Sequence, residues 1–191
     1  MCRTGLHTVA FFYFDFRDDN KQDARSLLSS LLIQLCHESD RFFGILSSCH
    51  SAHDEGARQP SEDALLECLE DMLKLQGQGE LYIIVDALDE CPSVSGYPTP
   101  REQVLTILQK LVELHLPHVH FCFTSRPEVD IRDALECLAV HNVSLHDQDG
   151  QNRDIFDYIK SVVSSDKTMR RWREEDKQLV INTLMGRARG M

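Results

Sequence analysis

The sequence has no apolar run approaching the roughly 20 residues that a membrane-crossing helix needs, and no C-x-x-C pair among its seven cysteines. The first absence leaves no candidate span. The second argues against a zinc ribbon or a thioredoxin-type redox motif. Cys2, Cys36, Cys49, Cys68, Cys91, Cys122 and Cys137 are scattered and odd in number, the usage of a protein that keeps free thiols in a reducing compartment. Cys36, Cys68 and Cys122 sit among apolar neighbours and are expected in the core. Positive charge is also scarce: 20 Lys and Arg face 31 Asp and Glu, a net charge of -11. Such a chain repels a phosphate backbone, so no nucleic acid partner is expected. A nucleotide carried with Mg²⁺ stays compatible, because the metal inverts the local electrostatics. The start, MCRTGLHTVAFFYFDF, has neither the long apolar region nor the small-residue cleavage site of a signal peptide. The expected compartment is cytoplasmic or nuclear.

What is present suits a globular chain. At 191 residues, 42% apolar and 27% charged, it can build one ordinary domain with a real core. Strand and helix patterns alternate. Val9 to Phe16 is aromatic and β-prone, and its rings are expected in the core rather than on a base-stacking platform. Leu27, Leu28, Leu31, Leu32 and Leu35 recur at helical spacing. Residues 47–60, SSCHSAHDEGARQP, are polar and turn-rich and read as a loop. Ser61 can cap a helix with Leu65, Leu69, Met72 and Leu73 on its apolar face. Thr99, Pro100 and Glu102 form a cap, a first-turn proline and a capping-box acid for a helix carrying Val104, Ile107, Leu108 and Leu111. Strands are expected at LYIIV (81–85), at VHFCF (119–123) and, weakly, at VHNVSL (140–145). Short helices are expected over 129–138, 152–165 and 174–185. The order predicts an α/β fold: three layers around a mostly parallel sheet, with LYIIV and VHFCF covered on both faces.

Two constellations can carry chemistry. In ELYIIVDALDECP, an apolar strand ends in Asp86, followed by Asp89 and Glu90. Ligands of open α/β sheets bind beyond the carboxyl ends of the strands. An acid there can hold Mg²⁺, and Glu90, with Asp89, can orient or deprotonate water. Three clustered acids repel one another and need such a reason. The alternative is that they cap a helix or face solvent. In FTSRPE, Thr124, Ser125 and Arg126 end the next strand, where hydroxyls and a guanidinium can meet phosphate oxygens or an acid on the neighbouring loop. Here the alternative is a structural arginine bonding Glu90 or Glu128. His118 and His120 are expected to be structural.

LYIIVDALDEC resembles the Walker B element of NACHT-type signalling NTPases, and VHFCFTSRPE resembles their sensor 1 strand. Together with VAFFYFDFRDDNKQDARSLLSSLLIQL, the spacing is similar to the fungal branch, with its nephrocystin-3-like N-terminal ATPase domain. The resemblance runs from Val9 to Met191. It implies a P-loop NTPase fold that binds ATP or GTP with Mg²⁺, oligomerises and signals. Asp86 matches the Mg²⁺-associated acid, Asp89 and Glu90 the pair linked to hydrolysis, and Thr124, Ser125 and Arg126 the nucleotide-sensing segment.

The family's phosphate loop, G-x-x-x-x-G-K-[ST], is nowhere in the sequence. Gly5 stands alone, and the GQG at Gly77 to Gly79 lacks a lysine and precedes a strand. The family's first strand and helix are also missing. That strand lies between the sensor 1 strand and the final strand, so its loss predicts unpaired sheet edges. The resemblance therefore implies a partial NTPase core over residues 1–150 and a truncated helical region over 151–191, unable to bind or hydrolyse nucleotide well. One alternative is a regulatory module that self-associates or docks on a full-length relative. Another is a metal-dependent phosphohydrolase using Asp86, Asp89 and Glu90.

Overall fold

Local sequence signals and burial together set the elements of the chain, seen in a computed structural model that describes residues 7–53, 57–77, 79–94, 96–144 and 149–188. Two units form, Met1–Ala139 and Val140–Met191. In the first, β1 (His7–Tyr13), β2 (Glu80–Asp86) and β3 (Val119–Phe123) make a parallel sheet in the order β1-β2-β3. Helices α1 (Ala24–Glu38), α2 (Asp40–Ala52) and α3 (Glu62–Leu73) connect β1 to β2. Helix α4 (Pro100–Glu113) connects β2 to β3, and α5 (Val129–Leu135) follows. The sheet and helices match the expected α/β class.

Capping fixes the helix starts. Asp23 accepts from the Ser26 amide to open α1, and Ser61 accepts from the Ala64 amide to open α3. The Thr99–Glu102 capping box, with Pro100 in the first turn, opens α4. The apolar stripes then meet. Leu27, Leu28, Leu31, Leu32 and Leu35 of α1, Leu69, Met72 and Leu73 of α3, and Val104, Leu108 and Leu111 of α4 share one core with Leu81, Ile83 and Val85 of β2.

Several sequence expectations are corrected. Residues 47–52 are helical, the end of α2, rather than loop. Ser39 caps that helix through the Arg41 amide, and it packs on α1 and α3 mainly through Phe42. A helix lying on the surface needs only a narrow apolar stripe, which its polar second half hides. Strand β1 stops at Tyr13, three residues before Phe16. The carboxylate of Asp15 accepts from the Arg17 amide at 2.9 Å and closes a turn in place of a ladder. Of the aromatic run, Phe12 and Phe14 are buried, while Phe11 is 56% exposed and Tyr13 and Phe16 are also exposed. Finally, residues 140–144 of VHNVSL form no strand and are exposed; Leu145 lies outside the described residues. No strand in the described part of the chain lies beside them to satisfy their backbone.

The sheet carries its helices on one face. A right-handed crossover repeated in the order β1-β2-β3 brings each connection back to the same side. Leu81, Ile83 and Val85 point there, whereas Val9, Phe11, Tyr13, Tyr82, His120 and Cys122 lie exposed on the other face. Among the described residues of this unit, the second helical layer is not seen. An apolar run does not tell a doubly covered strand from one whose outer face holds Tyr82, Ile84 and Cys122. Cys122 is therefore exposed rather than in the core.

The sheet's two edges differ. At β1 the Gln34 side chain donates to the Phe11 carbonyl at 2.7 Å and accepts from the Phe11 amide at 3.0 Å, filling the place of a neighbouring strand. At β3 no strand and no side chain takes that role among the described residues.

The second unit holds α6 (Asp149–Ser165) and α7 (Glu174–Ala188), packed on each other, with Val163 and Ile181 buried.

Candidate functional site

The register of the sheet builds the site. Tyr13 pairs with Asp86 across β1 and β2, and Val85 pairs with Phe123 across β2 and β3. Asp86 therefore leaves its strand between Phe14 and Thr124. Its carbonyl accepts from the Phe14 amide at 3.1 Å, and its Oδ1 accepts from the Thr124 hydroxyl. Thr124 also ties the next turn: its Oγ1 accepts from the Ala87 amide at 3.1 Å, and its carbonyl accepts from the Leu88 amide at 3.0 Å. One threonine thus fixes both the acid and the turn after it.

That turn is strained. Ala87 has φ 56° and ψ 47°, left-handed backbone that a residue with a Cβ adopts at a cost of about 1–2 kcal/mol. The bonds to Thr124 and the full burial of Leu88 hold it. The reversal lifts Asp89 and Glu90 off the strand axis and sends them apart. The Asp89 side chain, 11% exposed, accepts from the Arg126 amide through Oδ1 at 2.9 Å, and its Oδ2 lies 3.5 Å from the Arg126 guanidinium Nε. Glu90 turns toward the loop after β1, where its Oε2 accepts from the Phe16 amide at 3.2 Å.

The acids are thus separated by partners: a hydroxyl for Asp86, an arginine for Asp89, a backbone amide for Glu90. Arg126 bonds Asp89, rather than Glu90 or Glu128. Ser125 is exposed and its hydroxyl makes no hydrogen bond among the described residues. His120 accompanies Glu80 at 2.6 Å at the other end of the strands, away from this site.

Two residues that sequence reasoning did not single out complete the site. Arg101, 8% exposed, is the buried charged residue among the described residues of the unit. Its Nη2 donates to the Asp89 carbonyl at 2.6 Å, its Nε to the Cys91 carbonyl at 2.9 Å, and its Nη1 pairs with Asp130 at 3.2 Å. It fastens the acidic loop to α4 and α5. A signal exists in the sequence: a cation in the first turn of a helix opposes the macrodipole and needs another reason to be there. Arg17 is the second. It grips Asp15 with Nε and Nη2 at 2.9 and 3.0 Å. These bonds hold Asp15 down at about 2, and Arg17 is raised by Asp15 first, with Glu90 adding.

The family-model comparison finds the nephrocystin 3 N-terminal region over residues 1–126. The chain belongs to the nephrocystin 3 N-terminal family. No curated protein and no solved structure matches it. The nephrocystin 3 match takes in Asp86, Asp89, Glu90, Thr124, Ser125 and Arg126 and ends at Arg126, so α5, α6 and α7 fall outside it. It covers less of the chain than the resemblance that extends to Met191.

The donor set fits one part of a nucleotide complex. Asp86 Oδ2 carries no hydrogen bond among the described residues, and Mg²⁺ in nucleotide sites is held by one or two carboxylates plus phosphates. No group of three His, Cys, Asp or Glu able to hold a metal unaided occurs among the described residues. No helix is long and apolar enough to cross a membrane among the described residues.

Proposed function

We propose that the chain carries the Walker B and sensor 1 half of a NACHT-type signalling NTPase core. Asp86 is the Mg²⁺-associated acid, Glu90 with Asp89 serves hydrolysis, and Thr124, Ser125 and Arg126 face the terminal phosphate. The observation that carries this reading is the Thr124 hydroxyl on Asp86, across the carboxyl ends of adjacent parallel strands. It couples the metal-side acid to the segment that would read the phosphate. These 191 residues contain no G-x-x-x-x-G-K-[ST] loop, so the backbone N–H cradle and the lysine that grip phosphates are not supplied. The chain by itself therefore neither binds nor hydrolyses ATP or GTP usefully. Steady-state ATPase and GTPase assays of the purified chain test this; turnover that Asp86→Ala abolishes would overturn the inactivity.

A second reading is favoured by the difference between the sheet edges. With Gln34 on β1, β3 is, among the described residues, the edge left to accept a strand, and Tyr82 and Cys122 lie exposed on the face beside it. A regulatory role, docking through β3 on a full-length relative, follows from this. Phe121→Pro, which removes an outward-facing amide, is expected to abolish co-purification with such a relative. Unchanged co-purification would remove the reading.

A further inference from the structure

The segment joining the two helices of the second unit concentrates positive charge. Lys167, Arg170, Arg171 and Arg173 fall within seven residues that hold no acid, in a chain whose net charge is -11. The neighbouring acids are engaged elsewhere. The Asp166 carboxylate accepts from the Thr168 amide at 2.6 Å and from the Met169 amide at 3.2 Å, closing the turn that leads into a short 3-10 helix, Met169–Arg171. The Glu174 carboxylate lies 3.7 Å from the Lys177 ammonium. Arg170, Arg171 and Arg173 are exposed and form no ion pair and no side-chain hydrogen bond among the described residues. Arg171 and Arg173 border an open groove of about 510 Å³, which Trp172, Asp176, Leu179 and Val180 complete. Trp172 is 45% exposed there and Leu179 66%.

We propose that this groove docks an acidic protein segment. Carboxylates of the segment meet Arg171 and Arg173, and an apolar side chain between them lies on Trp172, Leu179 and Val180. A guanidinium without an internal partner can take a carboxylate through two parallel N–H donors. Exposed tryptophan and arginine side by side are the residue types that most often anchor protein interfaces. An anionic bilayer or a nucleic acid fits this place less well. Each spreads negative charge over a wide surface, and Glu174, Glu175 and Asp176 follow directly on Arg173. A short acidic segment reaches the arginines without covering those acids. This proposal does not depend on the nucleotide reading.

Trp172 is the single tryptophan of the chain, so its emission reports on this groove alone. The test titrates the full 191-residue chain with a synthetic, tryptophan-free peptide, a leucine flanked by two glutamates on each side, and follows that emission. The expected result is a saturable shift to shorter wavelength as the indole leaves water, weakened by added salt. The double variant Arg171→Glu, Arg173→Glu is expected to bind roughly tenfold more weakly, with circular dichroism showing its helices intact. A peptide with lysine in place of glutamate is expected to give no shift. That comparison uses the unaltered chain and holds whatever the double variant does to folding. No response to the glutamate peptide up to about 1 mM, or an equal response to the lysine peptide, would overturn the proposal. So would a shift produced by phosphatidylserine vesicles or single-stranded DNA but not by the peptide. A shift that grows with chain concentration alone would overturn it too, by giving the groove to a second copy of the chain.

Discussion

The amide of Arg126 donates to Asp89 Oδ1 at 2.9 Å, while its guanidinium, 80% exposed as a side chain, reaches the same carboxylate only at 3.5 Å. The backbone does the holding and the charged head is an accessory. Arg126→Ala should therefore cost little, under about 1 kcal/mol, as for an exposed ion pair. Asp89→Ala should cost about 1–2 kcal/mol, because a backbone donor loses its acceptor. Denaturant melts of the two variants check the order; equal costs would show that the guanidinium dominates.

Arg101 should be the most sensitive residue near the site. It satisfies two carbonyls of the acidic loop and pairs with Asp130 from a buried position. Arg101→Leu is expected to destabilise by about 3 kcal/mol. Arg101→Lys should recover only part of that, since a point charge cannot reproduce the fork. Full recovery by lysine would reduce the role to charge alone.

Ala87 offers the opposite sign. Glycine removes the left-handed penalty, so Ala87→Gly should be neutral to stabilising, up to about 1 kcal/mol. Ala87→Val should destabilise, because a β-branched residue tolerates that backbone worse. Thermal melts of both variants distinguish this from a site that merely prefers a small residue.

Asp15 titrates unusually low, at about 2 against an ordinary 3.8, first through the Arg17 side-chain bond and then through the Arg17 amide. A depressed carboxylate adds stability that is complete above its unfolded value and is lost as pH falls through about 2. Titration followed by NMR should place the Asp15 carboxyl well below the ordinary aspartate value of 3.8. Arg17→Ala should move it upward, toward the ordinary value; an unmoved midpoint would assign the depression to another source.

Much of this architecture was legible in the sequence because its causes are local. Ser61, Thr99, Pro100 and Glu102 announce their helices, and three- and four-residue spacing finds the core faces of α1, α3 and α4. Asp86 and Thr124 could be named because both end apolar strands, but their hydrogen bond could not, since it depends on the register of β2 against β3. Helix α2 was hidden by a polar second half, and the end of β1 by the Asp15 turn. The exposed face of the sheet was hidden most thoroughly. Burial of an apolar strand depends on what packs over it, and the strand's own residues do not carry that information.

The central claim is that the acids and the sensing segment are assembled while the phosphate grip is not. Calorimetric titration of Mg·ATP into the purified 191-residue chain tests it most directly. The account predicts no saturable heat up to about 1 mM nucleotide, the weak end of the affinity scale. Saturable, Mg²⁺-dependent binding in the micromolar range that is lost in Asp86→Ala would contradict it.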